Sequence, residues 1–449
     1  MLQRFILLFL GISLVACQTD KEATTANSFT LSGIITNAKD KAVTLSRGDF
    51  KQAITLDETG SFTTELSNIK PGIYSLVNAR KMFVLYLESN GDLKMTADAG
   101  NFKSTAKYTG GLALQNTYLM EKGTAKAKVN INYKTLLSAN ESDFLSQVDE
   151  RVKASTDELN SFEGLPEDFK AFEEKGFDYE RLHFISQYEP GHQYFTKNDN
   201  FKASDDLKKP LEGIDYDNEE NFLNYQDFQN LVMGAFNDDD LMVNIEKLKT
   251  FKSEKIKTSV VGNLKYMLSP TMDNLEESYN ALAGLSNDTD MNKDLAEIYN
   301  VLKALTKGSP SPSFNFVDRN GKEVQLADLK GKNVYIDVWA TWCGPCKAEI
   351  PSLKALEKEY HNKNIEFVSI SIDKQKDADK WKAMIEEKDL KGVQLMADKD
   401  WKSDFVQGYG IKGIPRFIMV DDKGLIVSAD AARPSDDENV KKLFSELGI

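Results

Sequence analysis

Asn333-Val334-Tyr335-Ile336-Asp337-Val338-Trp339-Ala340-Thr341-Trp342-Cys343-Gly344-Pro345-Cys346 is the stretch that decides the C-terminal fold. Up to Trp339 it is apolar at nearly every position, as expected of a strand covered on both faces. Thr341 to Pro345 turns the chain. From Lys347 to Tyr360, Ile350, Leu353, Leu356 and Tyr360 recur at helical spacing. A buried strand feeding a helix through a short turn predicts an α/β layer architecture. It also predicts that Cys343 sits at a helix N-terminus, where unpaired N–H groups and the macrodipole favour an anion. Two thiols at this spacing suit reversible dithiol–disulfide exchange, with Cys343 as the exposed attacking thiol and Cys346 closing on it. The effect of the helix is large enough to matter. A thiol of pKa about 8.5 is only a few per cent ionised at neutrality and one near 7 is half ionised, a difference of ~2 kcal/mol.

A C-x-x-C pair is also half of a structural zinc site, which needs two further Cys or His ligands. The sequence holds three Cys and three His. Of these, Cys17 lies far upstream and His361 is the one His beyond residue 192, so neither metal nor cofactor is expected.

Arg4 followed by the apolar run Phe5 to Ala16 is too short to span a bilayer and suits a secretory h-region. It ends Leu14-Val15-Ala16-Cys17, which resembles a bacterial lipobox. That resemblance implies a signal peptide over 1–16, a lipidated Cys17, a polar tether over 17–27 and an envelope location facing the periplasm. Exported proteins meet oxidising surroundings, so a dithiol kept reduced there needs electrons from a membrane partner.

The net charge of −14 and pI near 5.0 argue against nucleic acid, whose binders carry a basic face. Residues 28–114 are β-rich. Phe29, Leu31, Gly33 and Ile35 alternate with polar residues, and Asn90-Gly91 between apolar runs predicts a hairpin. A small antiparallel sandwich is expected, similar to the β-rich domain that precedes thioredoxin-like domains in Gram-negative lipoproteins. Residues 115–307 switch to helical spacing, as in Phe144, Val148, Val152 and Leu159, and in Leu295, Ile298, Leu302 and Leu305. The acidic run Asn237-Asp238-Asp239-Asp240 lacks the spacing and glycine of a calcium loop. Residues 308–312, rich in Ser and Pro, predict a linker, and 313–449 the last domain.

From Pro312 onward the chain resembles the TlpA/ResA-like thiol-disulfide oxidoreductases of the thioredoxin superfamily. The marks are Val338 to Cys346, Lys347-x-Glu349-x-Pro351, Gly413-Ile414-Pro415, and Phe314 to Lys332 with its Asn320-Gly321 turn. The resemblance implies a three-layer thioredoxin-like fold preceded by a β-hairpin. Asp337, six positions before Cys343, is then the buried acid that takes and returns the inner thiol's proton. Glu349 is an active-site acid tuning the pair, and Pro415 is a cis-proline beside the cysteines. Trp342 is expected to cover the active-site face. The Gly344-Pro345 dipeptide is that of thioredoxin, a reductant near −270 mV, rather than of strong oxidants near −120 mV. The expected activity is therefore a membrane-anchored reductase of disulfides in exported proteins, apocytochrome c being one candidate, fed by a membrane thiol relay. Two alternatives stay open: an envelope binding or scaffold lipoprotein with an accessory redox domain, and a thiol peroxidase. The second is disfavoured because Ala340 stands where peroxiredoxins place Thr.

Overall fold

The computed structural model describes residues 28–129 and 131–449; the expected signal peptide, the expected tether and Cys17 lie outside the described residues. The chain divides into two compact units inside the helical stretch. One runs to Pro210 and takes in Leu223–Gln226. The other comprises Leu211–Phe222 and Asp227–Ile449.

Among the described residues the first unit is built on eight strands, β1 (Ser28–Thr36), β2 (Ala42–Arg47), β3 (Phe50–Thr55), β4 (Ser61–Ser67), β5 (Gly72–Asn78), β6 (Lys81–Leu87), β7 (Gly91–Asp98) and β8 (Lys107–Thr109). They form two four-stranded sheets, ordered β4-β1-β7-β8 and β3-β2-β5-β6. Alternate residues such as Phe29, Leu31, Leu45, Leu76, Leu85 and Leu93 fill the space between them. Gly33 is required by close approach: a Cβ there would lie 2.0 Å from the Met95 carbonyl oxygen.

The two-sheet arrangement matches the sequence expectation, but the Asn90-Gly91 hairpin does not form. β6 and β7 lie in different sheets, and β7 pairs in parallel with β1. Asn90 takes the positive φ of 64° that Asn-Gly signals, and the chain uses it to cross between sheets. β6 pairs with β5 on one side only. On its open edge the Asn116 side chain accepts from the Tyr86 N–H and donates to the Tyr86 carbonyl, both at 2.9 Å. A buried amide thus satisfies strand groups that would otherwise be orphaned. Tyr86, Tyr118, Leu159, Leu165 and Phe169 form a cluster joining strand to helices, so the first part of the helical stretch packs on the sandwich.

The second unit carries the other helices and a seven-stranded sheet of β9 (Asn315–Asp318), β10 (Glu323–Gln325), β11 (Asn333–Trp339), β12 (Ile365–Ser371), β13 (Val393–Met396), β14 (Arg416–Val420) and β15 (Ile426–Ser428). The order is β10-β9-β13-β12-β11-β14-β15, with β11, β12 and β13 parallel. The β9–β10 hairpin turns at Asn320-Gly321 as expected, with Gly321 at φ 84°. Every residue of β11 is buried. The acidic run near residue 238 serves the backbone, since Asp240 caps the helix Leu241–Lys249 by accepting from Met242 N. Residues 308–312 are tied down by backbone bonds, Gly308 N to Ile426 O at 2.7 Å and Ser311 N to Gly424 O at 3.1 Å. The junction is therefore part of the edge of the seven-stranded sheet rather than a loose connector. Among the described residues no helix is long and apolar enough to cross a membrane.

Candidate active site

β11 and the helix Gly344–Tyr360 meet at residues 340–343, as the apolar strand followed by Gly-Pro dictates. Pro345 occupies the first turn, where its missing N–H is not needed. Cys343 is the N-cap of this helix, and its Sγ accepts from Cys346 N at 3.1 Å. That N–H, with the dipole behind it, would hold a thiolate at position 343 once the pair is reduced. Here the pair is bridged, with Cα atoms 5.3 Å apart.

The exposure expected of Cys343 is not observed. Both cysteines are 4% exposed in the bridged pair. What distinguishes Cys343 is its cap position, not its accessibility. The Ile414–Pro415 peptide is cis. The Ile414 carbonyl oxygen lies 3.8 Å from Cys343 Sγ, a contact and not a hydrogen bond, since a bridged sulfur has no proton to donate.

Asp337 is 8% exposed, and among the described residues its Oδ1 has no hydrogen-bond partner. Burial pushes its carboxyl up to about 8, and the charges of Glu349 and Glu357 add repulsion. A carboxyl at that value exchanges a proton with a thiol at little cost near neutrality. Burial also pushes Glu357 up to about 7. Glu349 is itself buried, and its two oxygens accept from Ser435 N and Ser435 Oγ, each at 2.9 Å. It thereby ties the helix to the segment before the last helix, a structural role that sequence alone did not separate from tuning.

Trp342 does not seal the site. It is 53% exposed and stands tilted against Trp401, ring centroids 6.3 Å apart. The structure thus gathers Cys343, Cys346 and Pro415 into one locus, sets Asp337 in the strand beneath the helix, and leaves Trp342 on the rim. Among the described residues no group of three or more His, Cys, Asp or Glu is placed to hold a metal.

The Redoxin family matches residues 306–446. A thiol-disulfide oxidoreductase, ResA, from Bacillus subtilis is 29% identical over 29% of this chain and 72% of its own length. A Bacteroides vulgatus solution structure, assigned provisionally as a thiol-disulfide oxidoreductase, is 51% identical, covering 32% of this chain and 93% of that one at a TM-score of 0.29. The thioredoxin domain of another Bacteroides vulgatus thiol-disulfide oxidoreductase is 31% identical over 32% and 99%, also at 0.29. The C-terminal domain is a TlpA/ResA-like member of the thioredoxin superfamily.

One residue of this TlpA/ResA-like domain is not signalled by any motif. Asp373, two residues past β12 and 1% exposed, accepts from Thr341 N, Thr341 Oγ1 and Ser371 Oγ, all at 2.8 Å. It fixes the turn that delivers Cys343. The available signal was an acid closing the strand-like segment Ile365 to Ile372, where a buried carboxylate needs local donors.

Proposed function

We propose that the chain is a lipid-anchored envelope reductase of disulfides in exported proteins. The TlpA/ResA-like domain carries thiol–disulfide oxidoreductase activity. The direction of electron flow, the substrate class and the anchor are our reading. The observation that carries the chemistry is Cys343 at the helix cap with the Cys346 N–H on its sulfur. In the reduced protein the Cys343 thiolate attacks one sulfur of a substrate disulfide, and the other sulfur leaves as a thiolate. Cys346, losing its proton to a base such as Asp337, then attacks Cys343 Sγ and expels the second substrate sulfur. The substrate gains two electrons and the protein ends with the Cys343–Cys346 bridge, which an upstream dithiol must reduce.

Gly344-Pro345 between the cysteines supports a reducing potential, and Leu14 to Cys17 supports a lipid anchor. The C-x-x-C-H segment of an apocytochrome c, which must be reduced before haem attachment, is one target of this class. A redox titration of the chain against glutathione and dithiothreitol buffers tests the direction. A potential near −270 mV is expected, and one near −120 mV would overturn it. Cys17→Ser should shift the protein from the membrane to the soluble fraction.

A further inference from the structure

Beside the active-site loop the second unit forms a groove of about 1180 Å³. One wall is thioredoxin-like: Lys412, Ile414, Pro415 and Arg433. The other is helical, from the segment after Leu264 and from the helix Thr289–Ala304: Tyr266, Leu268, Ile298 and Val301. The walls are closely set, since a Cβ built on Gly410 would lie 3.1 Å from Val301 Cγ1. We infer that this groove is the docking channel for an extended segment of the substrate polypeptide, so that helices outside the redox domain help select the substrate. The inference rests on the protein-disulfide reading above.

Three observations fix the occupant. The groove is continuous with the chemistry, because Ile414, whose carbonyl oxygen contacts Cys343 Sγ, lines it. Its volume exceeds the roughly 300–1,000 Å³ of small-molecule sites, and an extended chain crossing the loop would fill it by the strand-like mode such edges favour. Its chemistry is amphipathic. Tyr266 and Val301 are 69% and 37% exposed, an apolar surface on the helical wall. On the redox-domain wall, Arg416 is neutralised by Asp430 at 2.7 Å, and on the helical wall buried Lys265 is paired with Asp294. Among the described residues Lys412 and Arg433 have no such carboxylate, and Glu297 across the groove has no such cation. The segment that fits carries apolar side chains toward Tyr266 and Val301 and a carboxylate toward Lys412 and Arg433.

The test uses two synthetic peptides, each with one Cys as its mixed disulfide with thionitrobenzoate. One has Leu and Asp residues extending four positions to either side; the other is Gly-Cys-Gly. The reduced protein's Cys343 attacks the peptide sulfur and expels thionitrobenzoate, whose absorbance gives the rate. The long peptide should react about tenfold faster than the short one, equivalent to ~1.4 kcal/mol. That ratio should fall towards one in Tyr266→Ala/Val301→Ser. It should fall likewise in Lys412→Ser/Arg433→Ser, whose changes are confined to exposed side chains and leave folding intact. A ratio near one in the unmodified protein, or a ratio unchanged in both double variants, overturns the groove assignment and leaves the redox reading standing. Absence of thionitrobenzoate release from either peptide overturns the redox reading itself.

Discussion

β11 and β12 run side by side, and Asp337 on the first and Asp373 just past the second are both nearly sealed from solvent, at 8% and 1% exposure. Asp373 accepts three hydrogen bonds, two of them from Thr341 in the active-site turn. Asp337 Oδ1 has none, and burial pushes its carboxyl to about 8. A buried carboxylate surrounded by donors holds backbone in place; one left without them becomes a proton-exchanging group whose charge state depends on pH. The same residue type, one strand apart, therefore does two different jobs, and each can be removed separately.

The largest loss of stability should come from Asp373→Ala. It leaves the Thr341 N–H, the Thr341 hydroxyl and the Ser371 hydroxyl buried without their acceptor, a loss of about 3–5 kcal/mol. Urea unfolding followed by tryptophan fluorescence isolates this domain, because all four tryptophans, Trp339, Trp342, Trp381 and Trp401, lie within it. Asp373→Asn retains one acceptor and should fall between. If Asp373→Ala unfolds with the unmodified midpoint, the positioning role is wrong.

Asp337→Asn should do the opposite, and in a pH-dependent way. The folded carboxyl titrates near 8 and the unfolded one near its ordinary 3.8. Between these values the unfolded chain binds fewer protons, so the unmodified protein loses stability as pH rises from about 4 to about 8 and levels off above. Asparagine does not titrate. The stability difference between variant and unmodified protein should therefore grow across that window, by on the order of 1.4 kcal/mol per unit of maintained shift, and be flat beyond it. Unfolding at pH 5, 7 and 9 measures it. A difference constant with pH means the carboxyl is ionised throughout. Because Asn cannot take the Cys346 proton, disulfide reduction should also slow by roughly 100-fold or more at neutrality.

The contrast also shows what sequence could and could not say. β11, the Cys343 cap and the β9–β10 hairpin were legible because each rests on local signals: an apolar run, Gly-Pro after a thiol, Asn-Gly after a strand. Asp337 was legible through its fixed offset from Cys343. Asp373 was not, since its role depends on Thr341, 32 residues earlier in the chain, which only the parallel pairing of β11 and β12 brings near. The parallel β1–β7 pair was hidden for the same reason: Asn90-Gly91 announces a turn, and only the Asn116 amide on the edge of β6 shows that the next strand goes elsewhere. The groove beside Ile414 joins elements more than a hundred residues apart, and periodicity could give its helices but not their neighbour.

Glu349 stands between the two aspartates in character, and Glu349→Gln should give the smallest effect. Like Asp373 it is buried and bonded, accepting from Ser435 N and Oγ. Like Asp337 it acts through charge, adding to the repulsion that burial begins on Asp337. Glutamine keeps one acceptor for Ser435, so the stability loss should be about 1 kcal/mol. Removing the charge relieves part of the repulsion while the burial of Asp337 remains. The upper edge of the Asp337 stability window should then move below pH 8 by less than one unit, and the pH profile of disulfide reduction should move with it. A stability loss with an unmoved window would make Glu349 a brace alone, whereas a moved window without stability loss would make the Ser435 bonds incidental.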